Sequence, residues 1–423
     1  MPGHKGRGSL GFEQYDITEI EGADSLYEAD GIIAESESIA TEIFGTARTL
    51  FSTEGSSQCI RAMLSLIMKY AKGRREVPKI LAARNAHKAF ITAVGLLDID
   101  VDWLTPHKDS NLLSARIDIS ALKEQLKTSS PTALYITSPD YLGVCADVGQ
   151  IAEVCHKHGV LLAVDNAHGA YLKLLSPSRH PIDLGADICC DSAHKTLPAL
   201  TGAAYLHLSK ALPTSIIGSA KDEMALFGST SPSYLILQSL DSLNEKILGG
   251  YRDTLATFLP KVDSLKAQLS DIGYTLIGDE PLKITLLTKN YGYYAFEVAE
   301  HLAANGILCE FSDKDALVLM LSPENESDLP RVIDVLSSLS RKTPITVGFP
   351  KIHIPKKACS VREAMLSNNE ILPIALCEGK VLAVANVACP PAIPIAVCGE
   401  IIDNETINLF KYYGIESCRV LVV

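Results

Sequence analysis

Val160-Leu161-Leu162-Ala163-Val164-Asp165-Asn166-Ala167-His168-Gly169 and Ala186-Asp187-Ile188-Cys189-Cys190-Asp191-Ser192-Ala193-His194-Lys195 are two apolar runs that each end in reactive residues. The first delivers an acid, the second a lysine. Neither run alternates apolar with polar, so both read as strands buried on two faces, as in a parallel sheet covered by helices. In such sheets functional residues collect at the carboxyl ends of strands. Asp165 and Lys195 occupy those places.

The same rhythm extends on both sides. Between residues 45 and 210 short apolar runs recur at Thr49 to Ser52, Lys79 to Ala83, Asp100 to Leu104, Ala133 to Thr137, Ile188 to Ser192 and Ala203 to Leu208. Helical spacing separates them, as in Gln58 to Tyr70 and Val148 to His158. Strand-helix alternation predicts an α/β fold with a mostly parallel seven-stranded sheet. Residues 211–260 look helical and connective. From about 261 the pattern restarts as a small α+β domain: a helix, Lys283 to Leu287 as strand, Tyr294 to Asn305 as helix, Ala316 to Leu321 as strand, Asp328 to Leu339 as helix. Pro344 to Pro355 reads as a linker, and Pro390-Pro391-Ala392-Ile393-Pro394 breaks up the last stretch. The expected domains are therefore 1–260, 261–345 and a C-terminal α+β unit over 346–423. No internal repeat or low-complexity tract is visible.

A chain of 423 residues is too long for one core, and 47% apolar residues supply a large interior. The net charge of -12, with no basic stripe, argues against a nucleic-acid partner. The 11 cysteines follow no C-x-x-C rhythm and read as reduced thiols of a cytoplasmic protein. Cys189-Cys190 reads as core packing. No apolar run reaches membrane-spanning length, and the start carries no apolar signal region.

An acid at one strand end and a lysine just past the next is the layout that pyridoxal phosphate needs. The lysine forms an imine with the aldehyde, and the carboxylate keeps the pyridine nitrogen protonated so that the ring accepts electrons. The phosphate needs a helix start with small residues and free N–H groups. Ser52-Thr53-Glu54-Gly55-Ser56-Ser57 offers Gly55 for close approach and Ser56 and Ser57 as donors; an ordinary helix cap explains the same residues. It is neither a Walker loop nor a nucleophile elbow. His87, in Arg84-Asn85-Ala86-His87-Lys88, is placed to stack on a flat cofactor, or is a surface histidine at a strand end. His168 can reach the cofactor from the turn after Asp165. His194 can meet a substrate carboxylate or deliver a proton. A zinc site on His87, His168 and His194 leaves Asp165, Lys195 and the Gly-Ser-Ser turn without a joint explanation, so no metal is expected.

Six segments in a fixed order carry a resemblance. Pro2-Gly3-His4-Lys5 is similar to P-G-H-K, Arg84-Asn85-Ala86-His87-Lys88 to R-N-x-H-K, and Asp165-Asn166-Ala167-His168-Gly169 to D-E-A-H-G. Ser192-Ala193-His194-Lys195 is similar to S-x-H-K, Ser229-Thr230-Ser231-Pro232-Ser233-Tyr234 to T-S-x-S-Y, and the Pro390 to Glu400 stretch to P-P-G-I-P…P-G-E. With these the chain resembles the bacterial-type ornithine/lysine/arginine decarboxylases, pyridoxal-phosphate enzymes of the aspartate-aminotransferase-like fold type I. The likeness covers nearly the whole chain and is nearest to shorter members without an N-terminal wing domain.

The resemblance implies that His87 stacks on the ring, Asp165 pairs with its nitrogen, Lys195 makes the imine and Ser192 helps bind phosphate. It implies that Thr230 and Ser231 reach the phosphate of a neighbouring subunit, making a homodimer or higher homo-oligomer with shared sites. It further implies decarboxylation of a basic amino acid to its amine and carbon dioxide, as in polyamine biosynthesis, with His194 or Lys195 returning the proton. Glu310 and Asp313 are candidates to hold the substrate's cationic end; two solvated loop acids are the other reading. The chain departs from the pattern at Asn166, at Ala392 for glycine and at Cys398 for proline. It also opens on P-G-H-K, where the family carries a preceding helix, so an upstream segment is expected to be missing or the start set late. Two rival readings stay open: another fold type I reaction (aminotransferase, aldolase or lyase), and a non-catalytic relative with a regulatory role. Residues 261–330 hold no arginine to grip a carboxylate as aminotransferases do.

Overall fold

A computed structural model describes residues 2–384, 388–389 and 392–422. Pro390 and Pro391 of the segments quoted above lie outside the described residues. The first elements in chain order are α1 (Ile32–Phe44), β1 (Arg48–Ser52), α2 (Gly55–Gly73), β2 (Lys79–Ala82), α3 (Lys88–Leu97), β3 (Asp100–Trp103), α4 (Ile119–Ser129) and β4 (Ala133–Thr137). They continue with α5 (Val148–Lys157), β5 (Leu161–Asp165), β6 (Ile188–Asp191), α6 (Ala193–Thr196), β7 (Ala204–Leu208), α7 (Thr214–Ala225), α8 (Tyr234–Lys246) and α9 (Arg252–Ile272).

Seven strands form one sheet in the order β1-β7-β6-β5-β4-β2-β3. The pairs β2–β4, β4–β5 and β5–β6 are parallel, whereas β7 runs antiparallel to both β6 and β1. The α/β fold with a mostly parallel seven-stranded sheet is thus as the apolar runs predict. Every residue of β5, β6 and β7 is buried, which is why these strands show no alternation. The β6–β7 connection, residues 192–203, contains only the four-residue α6, and Lys195 lies on it.

By contacts the chain falls into two compact units. The first comprises Met1–Ala82, Lys123–Ser138 and Asp147–Asp253. Its layers are β1, β2 and β4 to β7, with α2 against β6, β7 and α7. One face of α2 is apolar at Ile60, Met63, Leu64 and Ile67, all buried; the 3.6-residue repeat of an amphipathic helix places them on the sheet.

The second unit comprises Ala83–Leu122, Pro139–Ala146 and Thr254–Val423. It adds β8 (Thr275–Ile277), β9 (Lys283–Leu287), α10 (Ala295–Ala304), β10 (Phe311–Ser312), β11 (Leu317–Met320), α11 (Leu329–Ser337), α12 (Val361–Leu366), β12 (Asn369–Pro373), β13 (Ala388–Cys389), β14 (Ile393–Pro394), α13 (Asn404–Tyr412) and β15 (Ser417–Leu421). An antiparallel sheet runs β10-β11-β9-β8, and β12 pairs with β15. Phe311, Val318, Ile374, Leu382, Phe410 and Val420 share one buried cluster. It joins the small sheet to the last stretch of chain, which cannot bury its own apolar face with two strands alone.

Candidate active site

Asp165 is the last residue of β5 and is 2% exposed. In parallel register it faces Thr137 of β4 on one side and Cys190 of β6 on the other. Its Oδ2 accepts the Tyr135 hydroxyl proton at 3.2 Å, and its Oδ1 accepts the Ala167 N–H at 3.1 Å. Burial, then the Asp165 charge, pushes the Tyr135 phenol well up, so it acts as a donor. A buried acid with two donors keeps a fixed orientation.

β6 ends at Asp191, Ser192 caps α6, and Lys195 stands half-buried within that helix. Lys195 Nζ lies 3.1 Å from His168 Nε2. This is a hydrogen-bond distance, so one of the two nitrogens donates to the other. His194 Nδ1 lies 3.0 Å from the Ala203 carbonyl. A carbonyl only accepts, which puts a proton on Nδ1 of His194.

Ser192 Oγ donates to Ser56 Oγ at 2.9 Å, so the start of α2 and the lysine turn are one place. Gly55 has φ +69°, where L side chains are disfavoured, and a Cβ there would meet nothing within 4 Å. Its N–H bonds to the Gly202 carbonyl at 2.8 Å. Glu54, not a serine, takes the cap position of α2, while Ser52 Oγ bonds to Gln58 Oε1 at 2.6 Å. Ser56 and Ser57 are half-buried in the first turn. Thr230 and Ser231 are exposed on the loop before α8. The N–H of their neighbour Ser229 bonds to the Glu54 carboxylate.

In the first unit the structure therefore brings together Asp165, His168, Ser192, His194, Lys195, Gly55 and Ser56. His87, Glu310 and Asp313 belong to the second unit. His87 caps α3, its Nδ1 accepting the Ala89 N–H at 3.1 Å. Glu310 is exposed, and the Tyr141 hydroxyl reaches its Oε1 at 3.4 Å. Asp313 holds a turn: its Oδ1 accepts the N–H groups of Asp315 at 2.7 Å and Ala316 at 2.8 Å. Burial pushes its carboxyl up to about 6.

Sequence reasoning missed Tyr135 and Thr137, because both fall inside an apolar strand run. It also missed His180, Asp191 and His207, whose ligand atoms all lie within 4.8 Å of one another. This buried cluster shares no residue with the His87, His168, His194 set weighed from the sequence.

The model of the family described as "Orn/Lys/Arg decarboxylase, major domain" matches residues 11–257. The arginine decarboxylase of Bacillus subtilis (strain 168) is 28% identical over 97% of this chain and 89% of its own length. The arginine decarboxylase of Bacillus anthracis is 26% identical over 97% of this chain and 88% of its own. Among solved structures, lysine decarboxylase A from Pseudomonas aeruginosa superposes with a TM-score of 0.80 at 18% identity, covering 98% of this chain and 73% of that one. The Francisella novicida lysine decarboxylase gives a TM-score of 0.78 at 16% identity, covering 100% of this chain and 78% of the other. These structural likenesses speak for the fold, which is that of fold type I.

Proposed function

The chain belongs to the Orn/Lys/Arg decarboxylase family, and on that premise we propose that it is a pyridoxal-phosphate enzyme converting arginine, lysine or ornithine to its amine and carbon dioxide, with Lys195 as the cofactor-bearing lysine. The observation that carries the reading is the convergence of Asp165, His168 and Lys195 at the carboxyl ends of two adjacent parallel strands.

The residues present fit the cofactor. The open space above Gly55 leaves room for an anion at the start of α2. Beside Lys195, Thr196 Oγ1 is buried with no hydrogen-bond partner. When bound, pyridoxal phosphate supplies an aldehyde for an amine to condense with and a ring that draws electrons from the bond being broken. Lys195 offers the amine. Asp165, already oriented by Tyr135 and Ala167, would hold the proton of the ring nitrogen. Gly55, Ser56, Ser57 and Ser192 would bind the phosphate, and His168 would hold the lysine side of the ring. His194, with its Nδ1 proton committed to Ala203, can move a proton only through Nε2. His87 would restrain ring tilt, its tautomer set by the Ala89 N–H.

For the substrate's cationic end Glu310 is the better candidate. Asp313 already spends one oxygen on its turn, whereas Glu310 is exposed with an aromatic neighbour in Tyr141. Thr230 and Ser231 would complete a partner subunit's phosphate site, so the working form is a homodimer or larger. The four-stranded sheet lying wholly between residues 275 and 320 supports a small unit within 261–345, while contacts group it with the last stretch of chain. No helix among the described residues is long and apolar enough to cross a membrane. Ten cysteines are free thiols, which supports a cytoplasmic setting.

The test is direct. Purified protein mixed with pyridoxal phosphate should gain a visible absorption band and release carbon dioxide and the amine from at least one of arginine, lysine and ornithine. Cofactor uptake without carbon dioxide from any of the three, but with amino transfer to a keto acid, would overturn the assignment.

A further inference from the structure

Asp191 ends β6 with its side chain 0% exposed. Its Oδ2 lies 3.0 Å from His180 Nε2 and 3.1 Å from His207 Nε2, and its Oδ1 accepts the Asn166 Nδ2 proton at 2.7 Å. Phe44 packs on both imidazoles, at 5.4 Å from His180 and 4.3 Å from His207.

The proton positions follow. His180 Nδ1 accepts the Ile182 N–H at 3.3 Å, so Nε2 bears the proton and donates to Asp191. Burial raises the Asp191 carboxyl, but His180, His207 and their hydrogen bonds outweigh it and hold the group below the usual carboxylate range. As an acceptor only, Asp191 also requires a proton on His207 Nε2. Burial lowers His207 while Asp191 opposes it, and its Nδ1 lies 3.0 Å from Thr49 Oγ1. Thr49 Oγ1 in turn lies 2.8 Å from Thr46 Oγ1. Ligation of a divalent ion by His180 Nε2 would move the ring proton to Nδ1, against the Ile182 N–H, so the cluster reads as a hydrogen-bond hub.

What the hub holds is informative. Asn166 directly follows Asp165, and its N–H bonds to the Cys190 carbonyl at 2.9 Å. Asp191 precedes the Ser192-Ala193-His194-Lys195 turn. We propose that Asp191 and Asn166 are positioning residues that clamp the ends of β5 and β6 together and so set Asp165 against Lys195. This rests on the reading of Lys195 as the cofactor lysine. The hub also accounts for Asn166, where the chain departs from its relatives' pattern: an amide can donate to Asp191, whereas a carboxylate would face another carboxylate in a dry site.

Two substitutions separate geometry from charge. Asn166→Ala deletes the clamp's donor. Asp191→Asn removes the charge yet can keep the clamp, because Asn166 can turn its amide and accept through Oδ1, an atom now without a partner. The readouts are the dissociation constant for pyridoxal phosphate, the absorption band of the bound cofactor and the melting temperature without cofactor. Asn166→Ala is expected to weaken cofactor binding roughly tenfold or more and to shift the band. Asp191→Asn is expected to weaken cofactor binding less than Asn166→Ala does. A lower melting temperature with unchanged affinity and band in Asn166→Ala would reduce the hub to a structural part and overturn the proposal. If Asn166→Ala does not fold, Asn166→Ser, a shorter donor, takes its place with the same criteria. If the parent protein binds no pyridoxal phosphate at all, the functional reading fails first, which is a distinguishable result.

Discussion

Lys195 Nζ and His168 Nε2 stand 3.1 Å apart, joining the turn after β5 to the helix after β6. The amine thus points toward the strand end that carries Asp165. Lys195→Ala removes the only group in this turn able to condense with an aldehyde. The variant should lose turnover and show no borohydride-stable link to the cofactor by mass spectrometry. An active Lys195→Ala protein would refute the role.

Asp165→Asn keeps the shape of the side chain and its bond from Tyr135, but removes the charge. Losing a buried group aimed at developing charge costs on the order of 10²-fold in rate or more. The expected outcome is a folded protein with weaker cofactor binding and a fall in kcat of that size, read by steady-state kinetics. Unchanged kcat would set Asp165 aside.

Asp140 gives a stability signature with pH. Burial pushes its carboxyl up to about 6, and Val144 N–H and Lys283 only partly oppose this. A raised acid binds its proton more tightly folded than unfolded, so its stabilising share is present at low pH. That share is lost as pH rises from the unfolded value near 4 through 6. Asp140→Asn should flatten this fall, by up to about 3 kcal/mol across the window. Urea denaturation at pH 4.5 and 7 measures it; equal slopes in parent and variant would contradict the assignment. Asp313, also near 6, contributes its own share in both proteins.

Arg84 and Glu400 form a buried ion pair at 2.7 Å, with side chains 1% and 5% exposed. Glu400 also accepts the Val397 N–H at 2.7 Å, and the guanidinium lies 4.7 Å from the Trp103 ring centre. Breaking one side of a buried pair strands the other charge and costs roughly 3–5 kcal/mol. Glu400→Ala should lower stability by that order, with Trp103 fluorescence reporting the change.

Much of the fold was legible because burial on both faces leaves apolar runs that periodicity reads directly. All seven strands of the large sheet fall where Thr49 to Leu208 suggests, with ends shifted by one residue at most. β8 and β10 escaped notice for a physical reason. Thr275–Ile277 is three half-buried residues and Phe311–Ser312 only two, too short for any period. α1 was invisible because Glu35, Ser36, Glu37 and Ser38 interrupt its apolar stripe; Glu37 is buried against Lys221 at 2.6 Å, a partner 184 residues away.

The site was legible where chemistry sits at strand ends, as with Asp165 and Lys195. It was not where polar atoms are paired inside the sheet. His207 looks like a stray in the run Ala203 to Leu208, and His180 lies on a loop with no motif. Only their meeting at Asp191 gives them meaning, and long-range pairing leaves no local trace in sequence.

The Arg84–Glu400 pair spans 316 positions of the chain. Arg84, at the start of the segment carrying His87, therefore gains its counter-charge only once Glu400 has been made. During synthesis the Asp165–Lys195 half can assemble early, from neighbours in sequence. The buried pair would then close after the strands of the first unit are already in place.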